Sequence, residues 1–265
     1  MRTKLLNADY YQTLSFRERG DIIRDIKLNQ SKKLWQILSA SDSSGSEPEL
    51  PPDCHYLTIL DDNYPVALKE IYDPPLVLYY KGDINLLEHQ RKIAVVGSRT
   101  PQNISLRSAR NTIRQLNKHN FLAVSGLANG IDRNIHIEAL AQHLPTIAVL
   151  GAGFDHIYPL TNTTIFKNIC QHGLAISEYP PYIKAQKWQF VARNRIIAGL
   201  VSGVIVIEAK EKSGTMLTAR FALAENRELY VVGGHSLDPS YRGSNKLIQE
   251  GAKLFIDIDD ILEDF

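Results

Sequence analysis

Lys92-Ile-Ala-Val-Val-Gly-Ser-Arg-Thr-Pro101 decides how this chain is read. Its first half is a short β-branched apolar run, the pattern of a strand buried on both faces. The run breaks at Gly97-Ser98, Arg99 follows at once, and Pro101 forbids a continuing ladder ahead of a helix expected around Leu106–Lys118. In open α/β sheets, ligands bind beyond the carboxyl ends of the strands. Gly97 lets a ligand approach the backbone, Ser98 offers a hydroxyl and an N–H, and Arg99 offers a planar fork matched to phosphate. An ordinary strand-to-helix turn with a solvated arginine reads the same way, so the weight falls on how the later strands end.

Downstream the alternation is regular. Strands are predicted at Phe121–Ser125, Thr146–Leu150, Leu174–Ser177, Val204–Ile207 and Leu229–Val232, with helices at Ile131–Gln142, Thr161–Gln171, Val191–Leu200 and Met216–Glu225 between them. Strands alternating with helices of this length predict βαβ units, a mostly parallel sheet and, with right-handed crossovers, a doubly wound α/β, Rossmann-like fold. Residues 57–82 mix short apolar runs with turns and are expected to extend the edge of that sheet.

The N-terminal residues carry helical spacing and no strand signal: Leu14, Ile22, Ile23, Ile26, Leu34, Ile37 and Leu38 recur at three- and four-residue intervals. The Ser-rich stretch Ser39–Pro48 is too poor in apolar groups to pack. The expected division is therefore a small all-α module over residues 1–50 and an α/β domain over 51–265.

Composition bounds the function. With 265 residues, 44% hydrophobic, 22% charged and a net charge of +1, the chain is an ordinary globular protein, without the surplus of cations a broad nucleic-acid sleeve needs. No apolar run approaches a membrane span, the N-terminus turns polar too soon for a signal peptide, and Cys54 and Cys170 lie far apart. A cytoplasmic location with incidental thiols is expected.

Gathered on one edge by this topology, the strand ends supply Gly97-Ser-Arg99, Ser125–Asp132, Gly151-Ala-Gly153, Ser177–Pro181, Glu208–Thr215 and Gly233-Gly234. Glycine and serine at helix starts make an anion site from free N–H groups and helix dipoles. A nucleotide or a nucleic-acid backbone is the ligand class they suit. Gly151-Ala-Gly153-Phe-Asp-His156 lacks the third glycine of a dinucleotide fingerprint, and no Walker loop is present. Asp132 and His136, one helical turn apart, suit either an acid–base pair or a first-turn Asp beside a surface His. No metal-ligand spacing occurs. Lys187-Trp-Gln-Phe-Val-Ala-Arg-Asn-Arg195 concentrates three cations and two aromatic rings, the means of holding an unpaired base and its phosphate. The expected division is one structural arginine and one exposed ring.

These blocks, in this order, resemble the DNA-processing protein A family (DprA, also called Smf) over residues 57–256. The blocks are Val95-Val-Gly-Ser-Arg99, Ser125-Gly-Leu-Ala…Gly130-Ile-Asp132, Ile147-Ala-Val-Leu-Gly151…Tyr158-Pro159, Ser177-Glu-Tyr-Pro180, Arg193-Asn-Arg-Ile-Ile-Ala-Gly-Leu200, Ser213-Gly214 and Gly243…Asn245. The resemblance implies an extended Rossmann fold that binds single-stranded DNA, loads the RecA recombinase during natural transformation, and forms a homodimer through its C-terminal part. It implies a DNA pocket of Gly97, Ser98, Arg99, Gly126, Lys187, Phe190, Arg193, Asn194 and Arg195. No cofactor is expected, and no enzyme activity, because no complete catalytic constellation is present. Leu247, Ile248, Leu254, Ile258, Ile261 and Leu262 concentrate apolar surface near the chain end and are the expected dimer contacts. Two departures stand out: Gly233-Gly234 replaces the family's Pro-Gly, and the sequence ends at Phe265 without a winged-helix-like tail. The N-terminal helices resemble the sterile-alpha-motif-like domain of some members. The alternatives are a nucleoside-monophosphate phosphoribohydrolase of the lysine-decarboxylase-like group, whose P-G-G-x-G-T-x-x-E block is missing here, and a sensor of free nucleotide.

Overall fold

The fold is seen in a computed structural model that describes residues 1–10, 12–28, 36–38 and 48–265. Among the described residues nine strands, numbered β1 to β9 in chain order, form one sheet in the order β1-β2-β6-β5-β4-β3-β7-β8-β9. The parallel part comprises β3 (Lys92–Val96), β4 (Leu122–Ser125), β5 (Thr146–Leu150), β6 (Leu174–Ser177), β7 (Gly203–Val206), β8 (Glu228–Val231) and β9 (Lys253–Leu254). The edge extension is β1 (His55–Thr58) and β2 (Val77–Gly82), antiparallel to each other, with β2 antiparallel to β6. This is the predicted doubly wound α/β sheet. No sequence signal marks β9, whose two exposed residues are too few to show a period.

The strands lack alternation because both faces are covered. Ile93 and Val95 of β3 lie under Ala109, Ile113 and Leu116 of the helix Asn103–Lys118 and Ile131, Ile135 and Ala139 of the helix Ile131–Ala141. Ala94 and Val96 belong to the opposite core, with Ile196 of the helix Lys187–Gly199 and Met216, Ala219 and Ala222 of the helix Gly214–Ala224. Neighbours diverge in chain order at β3: β4 lies on one side and β7 on the other. The crevice between the β3 and β7 loops is the switch point where such sheets take ligands.

Before the sheet, helices run over Arg2–Tyr10 and Phe16–Lys27. A capping box starts the second: Glu18 N–H donates to the Ser15 hydroxyl, and Ser15 N–H donates to the Glu18 carboxylate. Leu34 and residues 39–47 of the expected linker lie outside the described residues. Leu5, Leu6, Ile22 and Leu38 join the same core as Leu57, Leu78 and Tyr79. Buried polar contacts also tie the first helices to the sheet. Tyr79 donates to Asp9 at 3.1 Å, and Arg19 bridges Asp9 at 3.2 Å and Glu178 at 2.9 Å.

The C-terminal segment corrects the expected dimer surface. Leu247, Ile258 and Ile261 are buried within the chain, because the final turns close over β3, β7 and β8 instead of projecting from them. Ile248 and Leu262 are half-buried, while Leu254 and Ile256 are 47% and 71% exposed. The Gly233-Gly234 turn is pinned without a proline. Asn245 Nδ2 donates to Gly234 O and Gly234 N–H donates to Asn245 Oδ1, at 3.0 and 3.1 Å, and a Cβ on Gly234 would fall 2.0 Å from Tyr241. Burial pushes the free thiols of Cys54 and Cys170 up to about 12, leaving them unreactive. Among the described residues no helix is long and apolar enough to cross a membrane.

Candidate nucleic-acid interface

The loops after β3 and β7, with the start of the helix Lys187–Gly199, enclose a cavity of about 600 Å³. Its lining carries four cations, Arg99, Lys187, Arg193 and Lys210, against one carboxylate, Asp132.

Close packing builds the β3 loop. A Cβ on Gly97 would sit 2.6 Å from Ile131, and Gly130 adopts φ +83°, where a Cβ would meet Ser98 O at 2.2 Å. Ile131 N–H donates to Ser98 O at 3.0 Å, Thr215 Oγ1 donates to Gly97 O at 2.9 Å, and Thr100 N–H donates to Ser98 Oγ at 3.2 Å. Asp132 is buried where the backbone N–H groups of Ala128, Gly126 and Gly97 and the Arg193 guanidinium favour its charged form, although burial still raises its pKa. It is not the solvated first-turn acid of the alternative reading, and among the described residues no hydrogen bond joins it to His136, whose Nδ1 pairs with Thr146.

Arg99 is exposed, and its guanidinium carbon lies 6.0 Å from the centroid of Phe190, with no carboxylate paired to it among the described residues. Phe190 is half-buried and leans on Tyr158 at 5.4 Å between ring centroids. Its ring needs Gly151, where a Cβ would stand 2.8 Å away. Gly153, the next glycine of that loop, packs against the carbonyls of Pro180 and Pro181. Both glycines therefore serve side-chain and backbone packing, which explains why the dinucleotide pattern stops short.

The expectation of one structural arginine is corrected to two. Arg193 is 4% exposed and donates through Nη1 to Gly126 O and Val149 O, both at 2.5 Å. It forms the cavity floor, and burial together with the nearby Arg99 lowers its pKa to about 10. Arg195 does not line the cavity: it is 6% exposed and bonds Glu178 at 2.7 Å and Asp73 at 2.9 Å. The helix turns by about 100° per residue, so residues 193 and 195 point to different sides. Gly126 also lies off the lining, making room for the Arg193 guanidinium. Gly97, Ser98, Arg99, Lys187, Phe190, Arg193 and Asn194 do meet there. The exposed ring is Trp188, at 62%.

Sequence reasoning missed Tyr158 and Lys210 as lining residues, and it placed Ser213-Gly-Thr215 only among the glycine-rich loops. Lys210 stands just past β7 as Arg99 stands just past β3, a signal that the strand assignment already contained. The helix Gly214–Ala224 opens on the cavity, adding the positive end of its dipole.

His136 is fully buried, which corrects the surface reading. Thr146 Oγ1 spends its proton on Ala123 O, so the His136 Nδ1–H donates to Thr146 Oγ1 at 3.0 Å, and Nε2 has no partner among the described residues. Burial, with Arg193 nearby, holds the imidazole down to about 3. Its unfolded value near 6.5 is higher, so the unfolded chain binds the proton first and stability falls as pH drops from 6.5 toward 3. Between pH 7 and 5 the wild type should lose about 2 kcal/mol more than His136→Asn in urea melts. Equal losses would mean the imidazole is not held neutral.

Residues 55–265 match the family DNA recombination-mediator protein A. This chain belongs to that family. It is 43% identical to the DNA processing protein DprA of Bacillus subtilis over 232 residues, covering 88% of this chain and 75% of that protein. Against DprA of Streptococcus pneumoniae it is 45% identical over 208 residues, covering 78% and 73%. The X-ray structure of the Streptococcus pneumoniae protein superposes with a TM-score of 0.79 at 38% identity, covering all of this chain and 93% of that one. A Helicobacter pylori DNA processing protein A, solved for its single-stranded DNA binding mode, superposes with a TM-score of 0.72 at 33% identity, covering 80% and 97%. The family match begins at β1 and takes in every strand of the sheet.

Proposed function

We propose that the cavity binds single-stranded DNA, with Arg99 and Lys187 on phosphates and a base against Phe190, and that the protein hands the strand to the RecA recombinase. The observation that carries this is the unpaired, exposed Arg99 beside the half-buried Phe190 ring, in a cavity whose charge is net positive. A ring face needs an unpaired base, and a chain of net charge +1 attracts duplex weakly. Fluorescence anisotropy should show oligo-dT bound more tightly than duplex of equal length. Phe190→Ala should cost about 1–3 kcal/mol, with less salt dependence than loss of a cation. Equal affinity for both forms, or competition by free dTMP at the oligonucleotide's own concentration, would defeat this reading. The hand-over is tested by adding RecA to the same strand, where a shorter lag in filament assembly is expected.

The pocket is proposed to work as one of a pair in a homodimer, whose joined sites raise affinity through effective concentration. With Leu247, Ile258 and Ile261 committed to the interior, the contact falls on Leu254 and Ile256. Ile256→Asp should sediment as a folded monomer with weaker binding to long strands. An unchanged dimer would place the contact elsewhere.

A further inference from the structure

The helix Asn103–Lys118 starts four residues beyond Arg99 and carries Arg107, Arg110, Arg114 and Lys118 without a single carboxylate. Such a surplus stands out in a chain whose total is 30 cations against 29 anions. At about 100° per residue, Arg107, Arg114 and Lys118 fall within roughly 40° of one another on the helix circumference. They lie opposite Ala109 and Leu116, which bury the helix on the sheet, and all three are exposed. Arg110, about 60° to one side, is neutralised by Glu138 at 2.6 Å. No ion pair reaches Arg107, Arg114 or Lys118 among the described residues; Arg107 and Arg114 are about 10 Å apart along the axis and Lys118 is about 6 Å further. Asn103 and Asn111 share the strip, and Ile104, 58% exposed, flanks its head beside the β3 loop.

We propose that this outward face is a second phosphate-binding track, which carries a single strand away from the cavity and along the helix. The inference rests on the reading of the cavity as a single-stranded DNA site. Continuity singles out that occupant: a strand gripped by Arg99 and leaving over Thr100–Gln102 meets Arg107 first. The guanidinium fork suits phosphate, and an unpaired row of cations with no acid interleaved has the charge of a backbone track, not of an ion-pair lattice.

The test compares an oligo-dT of about six nucleotides, enough for a single-fold site, with one of about twenty-five. Wild type, Arg107→Gln/Arg114→Gln and Arg107→Glu/Arg114→Glu are measured against both, after confirming equal melting temperatures. The short strand should bind all three within twofold. The long strand should bind the reversal variant at least tenfold more weakly than wild type. Its log–log salt slope should fall by about 1.4 in the glutamine variant, two phosphates at roughly 0.7 each. Equal effects on both lengths, no effect on the long strand, or an equal loss with duplex of the same length would overturn the track. If the short strand fails to bind wild type at all, the cavity reading fails instead; a long-strand loss confined to the variants would then still support the helix face.

Discussion

Arg99→Ala is expected to weaken oligo-dT binding ten- to a hundredfold while leaving the melting temperature unchanged. The size follows from losing charge-assisted hydrogen bonds to phosphate, about 1.5–3 kcal/mol. The silence in stability follows from what holds the β3 loop. Gly97 O and Ser98 O are already taken by Thr215 and the Ile131 N–H, and Ser98 Oγ closes its own turn. Arg99 contributes to none of these bonds. Arg99→Lys should recover only part of the affinity, because it keeps the charge and loses the fork. If Arg99 were instead a tie between loops, Arg99→Ala would melt early and its folded fraction would bind normally. Melting temperature and affinity on one preparation separate the two.

Glu178→Gln is expected to produce the largest loss of stability, about 3–5 kcal/mol, the range for breaking a buried ion pair. Glu178 is 7% exposed and accepts from Arg195 at 2.7 Å and Arg19 at 2.9 Å through the same oxygen. Burial raises its pKa, yet the attraction of Arg195 and Arg19 outweighs that and holds the carboxylate below its usual value. An amide leaves two guanidinium groups facing each other with half their compensation gone. At roughly 2–4 °C per kcal/mol for a chain of this size, the melting temperature should drop by on the order of 10 °C. Exchanging Glu178 and Arg195 together for apolar residues should restore part of the loss, since a well-packed pair avoids the desolvation cost. A Glu178→Gln protein that melts within 2 °C of wild type would show that water reaches the cluster.

The network has a second consequence. Arg19 belongs to an N-terminal helix, and Arg195 to the helix that supplies Lys187, Phe190 and Asn194 to the cavity. Nothing in the first forty residues signalled this link, because Arg19 lies 159 positions from Glu178 in sequence.

What the sequence determined by itself was local and periodic. Runs such as Ile93–Val96 and Ile147–Leu150 are apolar without alternation because both faces are covered, and together with the helical stretches between them they identified a parallel sheet. The glycines and serines past each strand marked the ligand edge for the same reason, since helix starts there expose N–H groups. Tertiary structure decided which cations are available. Arg99, Arg193 and Arg195 look alike in sequence, but one faces the cavity, one supports the carbonyls of Gly126 and Val149, and one is spent on Glu178 and Asp73. Ile261 and Ile256 look alike too, yet one is in the core and the other 71% exposed. A guanidinium is free or spent according to whether an acceptor from a distant strand reaches it, and a side chain is core or surface according to what folds over it. Both depend on partners scores of residues away, which no local pattern records.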